Sequence, residues 1–228
     1  MPELDTLAEL PLFDGLPTKQ LAKLRGLLLC KRSPAGAEII SVEHPGESVY
    51  VVLEGTVKVY LGRPDGTEVI LAILAAGEVV GEMAVMDSFE RSASVVTLEP
   101  CTFLVMGRPT FWSSLKEMPT MALNLVNVLS RRLRLTNARA ESLAALDIHG
   151  RVAAQLLVFA KEYGEPTPDG DVVIPLRLTQ RDLASIVGAS RVRVNQALAF
   201  YKRHDYLRVN RNHRIVIHDV AALGRRCN

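Results

Sequence analysis

The sequence contains few cysteines, few aromatic residues and no long hydrophobic run. Its three cysteines, Cys30, Cys101 and Cys227, lie far apart, so the CxxC spacing of zinc and cluster sites is absent and a disulfide framework is disfavoured. The longest apolar run, residues 69–76, is too short to cross a bilayer, and no charged-then-apolar leader opens the chain. We therefore expect a protein that neither spans a membrane nor is secreted, and that works in the reducing cytoplasm.

The composition and the distribution of charge predict two folded modules. Hydrophobic residues make up 48% of the 228 residues and charged residues 23%, a mixture typical of a chain with a buried core. Residues 1–130 contain ten Lys and Arg against sixteen Asp and Glu, whereas residues 131–228 contain seventeen against nine. This asymmetry indicates that the second module meets a polyanion, and the alternative is chance clustering on a solvated surface.

Short strands separated by turns are predicted between about Arg32 and Val105. The predicted strands are residues 49–53, 56–61, 68–74, 94–97 and 101–105. The absence of helical periodicity between them favours an antiparallel sandwich or barrel. The preceding thirty residues are predicted to be helical, with Leu21, Leu24 and Leu28 on one face.

A long helix is predicted from about Pro119 to Leu146. Small or apolar residues recur there in steps of four and three, the spacing of a heptad seam, at Ala122, Val126, Leu129, Leu133, Thr136, Ala140 and Leu143. Such a seam favours pairing with the same helix of a second subunit, and the alternative is packing on its own domain. A break is predicted over residues 147–150, because Gly150 is a poor interior helix residue, followed by a helix at 151–163 and a strand at 172–176.

A helix–turn–helix is predicted after Thr179, which is placed to cap a short helix with Asp182 as its reciprocal partner. Gly188 can take the left-handed conformation that the tight turn requires, and Ser190 is a good N-cap for the second helix. That helix is expected to bury three residues spaced by four and three, Val194, Leu198 and Tyr201.

The outward face of this second helix carries groups suited to DNA. The Arg191 guanidinium can donate two parallel bonds to guanine, whereas Asn and Gln amides suit adenine or a mixed edge. Residues 207–217 alternate around a basic turn and predict a wing. For the two helices, the alternative to DNA binding is a structural helical hairpin with an exposed polar face. The candidate DNA-contacting residues are Thr179, Gln180, Ser190, Arg191, Val192, Arg193, Asn195, Gln196 and Lys202.

One segment of the first module has the residue types of a nucleotide monophosphate site. A glycine turn at Gly81 precedes Glu82, and Arg91-Ser92 follows shortly after. A glycine turn exposes backbone N–H groups to an anion, and a guanidinium matches phosphate oxygens. A carboxylate at position 82 suits a neutral hydroxyl such as that of a ribose. The alternative is a loop with an ordinary Arg–Glu ion pair.

Taken together, these residues resemble the CRP/FNR family of bacterial regulators, closer to its cyclic-AMP receptor branch than to its oxygen-sensing branch. Gly81-Glu82 and Arg91-Ser92-Ala93 match the family's phosphate-binding cassette. Residues 130–137 look like its dimer helix, residues 146–151 like its hinge, and residues 186–191 like its DNA-binding core. The resemblance covers nearly the whole chain, in the family's order.

The resemblance implies a role for each residue of the cassette. Glu82 meets the ribose 2′-hydroxyl, and Arg91 and Ser92 meet the cyclic phosphate. On the long helix, Arg132 supports the ligand and Thr136 meets the adenine, with Asn137 supplied across the dimer. The implied cAMP-binding residues are Gly81, Glu82, Met83, Arg91, Ser92, Ala93, Arg132, Thr136 and Asn137.

The implied fold is α+β. It comprises an N-terminal antiparallel, jelly-roll-like β-roll that binds cyclic nucleotide (1–117), a dimerisation helix with a hinge (118–147), and a C-terminal winged helix–turn–helix (148–228). The implied function is a cAMP-responsive homodimeric transcription regulator that binds a roughly palindromic double-stranded DNA site and contacts RNA polymerase. Ligand binding is expected to reorient the helix–turn–helix domains. We expect no enzyme, because no triad, metal cluster or paired-carboxylate motif is recognisable by spacing.

The sequence departs at several positions from the cyclic-AMP receptor branch that it resembles. Asn137 stands where that branch has a serine, and the loop from Met86 to Arg91 is one residue shorter. Val192 and Gln196 replace an acid and a second arginine, which predicts an altered DNA preference.

Two alternatives remain open: an effector-independent or differently liganded (another nucleotide or haem) member of the family that binds DNA constitutively, and an enzyme that acts on the nucleotide in its pocket. An iron–sulfur oxygen sensor is disfavoured, because Cys30 is the only cysteine near the N-terminus. For haem, the sensor module offers His44, which stands in a predicted turn and is expected at the surface.

Overall fold

In a computed structural model, the structure of the chain is described at residues 2–87, 90–210 and 214–227. The chain divides into two compact units, Met1–Arg132 and Leu133–Asn228. Each helix described in these ranges is too short or too polar to cross a membrane.

The first unit contains two antiparallel four-stranded sheets. One sheet has the spatial order β1 (Leu29–Ser33), β8 (Cys101–Gly107), β3 (Ser48–Glu54) and β6 (Val79–Val80). The other has the order β2 (Glu38–Ile40), β7 (Ser94–Thr97), β4 (Val57–Gly62) and β5 (Glu68–Leu74). The helices of this unit are α1 (Leu4–Ala8), α2 (Thr18–Leu27), α3 (Glu82–Asp87) and α4 (Arg108–Glu117). The predicted antiparallel β fold is therefore confirmed.

Three strands were not separately predicted because they carry no two-residue burial period. Strand β1 exposes four of its five residues, and β2 and β6 are only three and two residues long. Each depends on pairing with a longer strand, β1 on β8, β2 on β7, and β6 on β3. Such pairing is a tertiary property.

In the sheet formed by β1, β8, β3 and β6, the two central strands β8 and β3 are buried on both faces. Val52 and Phe103 pack toward the other sheet, whereas their neighbours Val51 and Leu104 pack with Phe111 and the helices. Successive side chains of a strand point to opposite faces, so the apolar runs of β3 and β8 fill two cores. Each fully buried side chain of this size contributes about 1.5–3 kcal/mol.

Helix α5 spans Pro119–Ala145, as predicted. It buries Met121, Leu125 and Val128 within the first unit. The predicted heptad seam is divided: Val126 is 57% exposed and Leu133 is 61% exposed, whereas Ala122 and Leu129 are partly buried against the core of the first unit. The helix therefore packs on its own unit through part of the seam and leaves Val126 and Leu133 accessible.

The second unit is a winged helix–turn–helix, as predicted. Its helices are α6 (Ile148–Tyr163), α7 (Gln180–Val187), α8 (Arg191–Arg203) and α9 (Val220–Gly224), followed by a 3₁₀ turn at Arg225–Cys227. Its antiparallel sheet has the order β11 (Leu207–Val209), β12 (Ile215–Ile217), β10 (Val172–Ile174) and β9 (Glu165–Pro166). The predicted basic turn of the wing includes Arg211, Asn212 and His213, which lie outside the described residues.

The predicted break after α5 is shorter than residues 147–150. The Asp147 carboxylate accepts from the Gly150 backbone N–H at 2.7 Å and caps α6, and Arg151 donates to the Leu146 carbonyl at 2.9 Å. Gly150 lies inside α6, where an added Cβ would stand 2.8 Å from the Arg226 carbonyl oxygen. A close backbone approach therefore explains this glycine, and the interpretation of it as a helix breaker is wrong.

Candidate functional site

The glycine turn between β6 and α3 requires glycine. Gly81 has φ +83°, and a Cβ there would lie 2.5 Å from Arg91 Nη1 and 3.0 Å from the Ser48 carbonyl oxygen. Left-handed backbone is costly for side chains with a Cβ, and the space is already taken by a guanidinium. The glycine turn and the Arg91 side chain are therefore packed directly against each other.

Arg91 is a buried cation held by backbone oxygens. Its residue is 7% exposed, with Nη1 donating to the Gly81 carbonyl at 2.8 Å and Nη2 to the Ser48 carbonyl at 2.8 Å. Burial lowers the pKa of Arg91 from its usual value, while Tyr50 and Glu82 oppose the shift. Arginine nevertheless keeps its proton in proteins, so a positive charge sits directly beside the turn.

Glu82 pairs with Arg132 of α5 rather than with Arg91. Glu82 is 2% exposed, and its Oε1 accepts from Arg132 Nη1 at 2.7 Å. Burial raises the pKa of the Glu82 carboxyl, and the Arg132 charge opposes that shift. The simple Arg–Glu loop pair considered from the sequence is therefore not the arrangement formed.

A second buried acid, Glu78, completes this cluster and was not singled out from the sequence. It is 4% exposed; its Oε2 accepts from Arg132 Nη2 at 3.0 Å, and its Oε1 pairs with Arg131. Arg132 Nη2 also donates to the Val79 carbonyl at 2.7 Å. In the sequence Glu78 is an acid between Gly77 and two valines, and its partners Arg131 and Arg132 follow 53 and 54 residues later, so no local pattern could have identified the cluster.

The remaining implied ligand residues occupy different environments. Met83 and Ser92 are exposed and Ala93 is buried, all in the first unit. Thr136 and Asn137 are exposed on α5, about one turn beyond Arg132, and belong to the second unit. The structure thus brings Gly81, Glu82, Arg91 and Arg132 together, and leaves the two predicted adenine contacts on a separate unit.

A tryptophan on α4 is hydrogen-bonded to the backbone of α3. Trp112 Nε1 donates to the Val85 carbonyl at 3.0 Å. It is the single tryptophan of the chain, so its fluorescence reports on the helix that carries Glu82.

His44, the histidine considered for haem, is exposed in a turn, as predicted.

The helix–turn–helix has the predicted capping and turn geometry. Thr179 and Asp182 form a reciprocal capping box at the start of α7, with the Asp182 carboxylate accepting from the Thr179 backbone N–H at 3.0 Å. Gly188 ends α7 with φ +64°. Ser190 then caps α8 by accepting from the Arg193 backbone N–H.

The core contacts of α8 fix which side chains face outward. Val194, Leu198 and Tyr201 are buried, as predicted. Seven of the nine candidate DNA-contacting residues lie on α8 or its cap, and all seven are exposed: Ser190, Arg191, Val192, Arg193, Asn195, Gln196 and Lys202. Gln180 of α7 donates to Asn195 Oδ1 at 3.0 Å. This bond joins the two helices on their outer side.

The other side of α8 is fastened to α6 through Tyr201. Its hydroxyl donates to the His149 carbonyl at 2.6 Å. Burial raises the pKa of Tyr201 to about 12. The His149 ring packs edge-on against Phe200 and Tyr201, so α8 is oriented by aromatic contacts and one short hydrogen bond.

Comparisons with known proteins agree with this architecture. The cyclic nucleotide-binding domain family matches residues 30–117, and the Crp-like helix-turn-helix domain family matches residues 150–226. The chain is 33% identical to the CRP-like cAMP-activated global transcriptional regulator of Mycobacterium tuberculosis, over 97% of this chain and 98% of that protein. It is 30% identical to the cyclic AMP receptor protein of Thermus thermophilus, over 82% and 83%.

The fold is also similar to solved structures. A CooA mutant from Carboxydothermus hydrogenoformans matches with a TM-score of 0.75 and 24% identity over 90% of each chain.

The relatives matched by sequence are transcriptional regulators, which confirms the prediction that the chain is not an enzyme. The two matched domains and the similarity over nearly the full length show that the chain belongs to the CRP/FNR family of DNA-binding transcriptional regulators with a cyclic nucleotide-binding domain.

Proposed function

We propose that the protein is a homodimeric regulator whose DNA binding is controlled by cAMP. The proposal divides the chain into a nucleotide-binding domain (1–117), a dimerisation helix with its hinge (118–147) and a DNA-binding domain (148–228). The target is a roughly palindromic DNA site in the cytoplasm, with RNA polymerase as a further partner. The observation that carries the nucleotide assignment is the buried Arg91 cation beside Gly81 and Glu82.

The cluster supplies complementary groups for a cyclic nucleotide. A guanidinium suits the two exocyclic phosphate oxygens, because it donates parallel charge-assisted bonds. Ser92 adds an exposed hydroxyl next in sequence to Arg91. Glu82 is an acceptor for a ribose hydroxyl and repels phosphate. Cyclic AMP is favoured because the Mycobacterium and Thermus relatives are named for it.

Two exposed residues in the heptad seam of α5 support a homodimer. Val126 and Leu133 are 57% and 61% exposed, and the heptad spacing matches the seam of a two-stranded coiled coil. Their burial against a second copy contributes about 25 cal/mol per Å² of apolar surface. A symmetric dimer presents two copies of α8 to a palindromic site one helical turn apart, about 34 Å.

Arg132 offers a physical link between ligand and helix. It is part of α5 and bonds the proposed ribose acceptor Glu82. A ribose hydroxyl at Glu82 changes the pairing of Arg132, and therefore the restraint on α5. Ligand shifts the orientation of the DNA-binding domains only through its different affinity for their arrangements.

One observation favours an effector-independent regulator as the second candidate. The guanidinium groups of Arg91 and Arg132 are already bonded to protein oxygens. A cluster whose guanidinium groups are bonded to protein oxygens can serve as a structural core. The two candidates differ in whether nucleotide binds and in whether it changes DNA affinity.

The decisive experiment combines calorimetry with DNA selection on the full chain. We expect cAMP to bind the wild type, to alter Trp112 fluorescence, and to raise affinity for sites enriched from a random pool. Arg91→Gln is expected to bind cAMP at least about tenfold more weakly. Arg63→Gln, at an exposed turn position, is the matched control and retains affinity.

The outcomes separate the candidates. Unchanged cAMP affinity in a folded Arg91→Gln variant overturns the phosphate assignment. Sequence-specific DNA binding that is equal with and without cAMP supports the effector-independent regulator. A chain that sediments as a monomer with and without cAMP overturns the dimer.

A further inference from the structure

The recognition helix α8 presents one large apolar side chain to solvent at the position where base edges are contacted. Val192 is 67% exposed, the most exposed large apolar side chain described in the second unit. It is the second residue of α8. In a helix–turn–helix, the N-terminal residues of the second helix are those that meet base edges in the major groove.

The helix geometry points Val192 directly away from the core. At 100° per residue, Val192 lies about 170° from the centre of the buried face formed by Val194, Ala197, Leu198 and Tyr201. Gln196 lies about 150° away on the other side, whereas Arg191 lies only about 70° from that centre. Val192 and Gln196, four residues apart, therefore form the ridge that enters a groove most deeply.

The chemistry of valine restricts what it can read. Most base-edge groups in the major groove are hydrogen-bond donors or acceptors, and the apolar one is the C5-methyl group of thymine. Valine covering a polar edge would remove water without replacing its hydrogen bonds, which is unfavourable. Because a β-branched side chain has essentially one χ1 rotamer in a helix, the two methyl groups stand in fixed positions.

We infer that Val192 determines specificity by contacting the C5-methyl group of a thymine in each half-site. This inference rests on the proposed binding of DNA as a dimer. An altered DNA preference is predicted from the sequence. The proposed contact specifies that preference: an A·T pair is selected through an apolar contact with its thymine. The neighbouring Asn195 is tied to Gln180 through its Oδ1, which leaves Gln196 as the amide beside Val192 on the ridge.

The test removes the methyl group from the DNA rather than from the protein. Sites are first enriched from a random pool with the full chain and saturating cAMP. Each thymine is then replaced by deoxyuridine, which lacks only the C5-methyl group. We expect one symmetric position to lose about fourfold in affinity per half-site, the worth of one buried methyl group. At the same position, 5-methylcytosine is expected to bind more tightly than cytosine.

The matched variant is Val192→Ala, which leaves the fold unchanged because the side chain is exposed. The variant is expected to bind thymine and deoxyuridine sites equally at that position. Val209→Ala, at a partly exposed position of the wing strand, is the control and should keep the wild-type discrimination.

Different results would overturn the proposed DNA-binding function and the proposed thymine contact of Val192. If no sequence is enriched from the pool, the proposed DNA-binding function itself fails. If a motif is enriched but deoxyuridine is neutral at every thymine, or if Val192→Ala keeps the full discrimination, the Val192 assignment is overturned while the function stands.

Discussion

Glu78 and Glu82 accept from the same guanidinium, that of Arg132, at 3.0 and 2.7 Å. Both acids are almost completely buried. Arg132 therefore joins the β-roll to α5 through the two acids that flank the glycine turn. Arg131 adds a second cation to Glu78, and the four side chains form one charge cluster within the first unit.

Glu78→Gln is expected to destabilise the protein by about 3 kcal/mol. The substitution removes the shared partner of two arginines, and breaking a buried ion pair leaves charge without compensation. Urea unfolding at pH 7 measures the effect. Glu117→Gln is the control, because Glu117 pairs with Lys23 where both side chains are more than half exposed and such pairs contribute less than about 1 kcal/mol. Equal losses in the two variants would contradict the role of the buried cluster.

Gly81→Ala is expected to abolish tight nucleotide binding, because its Cβ displaces the Arg91 guanidinium. Gly66→Ala is the matched control: Gly66 also has a positive φ, +77°, but among the described residues other than its two chain neighbours no atom lies within 4 Å of the position that a Cβ would occupy there. Backbone strain of about 1–3 kcal/mol is common to both variants. Calorimetry with cAMP and urea unfolding separate strain from displacement. A Gly81→Ala protein with wild-type affinity would show that the Arg91 position is not required.

Stability is expected to fall as pH rises from about 10 to about 12, in part through Tyr201. The folded pKa is raised from 10.0 to about 12, so the folded state retains a proton that the unfolded state releases in this window. The contribution is complete below pH 10. Tyr201→Phe removes the titrating group, and its unfolding free energy should decline less between pH 9 and pH 11. Identical slopes for the variant and wild type would refute the assignment.

Arg191→Ala and Arg193→Ala are expected to weaken DNA binding in different ways. Arg191, at the start of α8, is expected to contact a base edge, so its loss should reduce discrimination between the selected site and random DNA by about 1–3 kcal/mol. Arg193, nearer the edge of the outward face, is expected to contact a phosphate, so its loss should weaken binding to all sequences alike and lower the salt slope by about 1. Titrations at several salt concentrations measure both. If the two variants behave alike, the assigned division of roles is wrong.

Features that depend on neighbours in the chain were predictable. The capping box joins Thr179 to Asp182, three positions later, and the left-handed turn at Gly188 needs only a glycine after an apolar stripe. The heptad spacing likewise marked the length of α5. In each case the stabilising partner lies within one or two helical turns. The residue pattern therefore predicts the structure, because the same local interactions stabilise it.

Features that depend on partners far apart in the chain could not be predicted from the sequence. Gly150 was interpreted as a breaker, whereas its Cβ-free surface accommodates the Arg226 carbonyl. Glu78 lies 53 residues from Arg131 along the chain, and no local pattern identifies that pair. The nucleotide cassette could be located, but its internal pairing of Glu82 with Arg132 rather than Arg91 could not.

The helix–turn–helix, the long helix α5 and the residue types proposed for nucleotide and DNA binding could be predicted from the amino-acid sequence, because periodicity, caps and turn residues act over a few positions. The folded chain was needed to show which buried charges meet, which carbonyls accept from Arg91, and how exposed the Val192 side chain is. Those outcomes depend on burial and on contacts between segments far apart in the chain, where desolvation makes each partner indispensable.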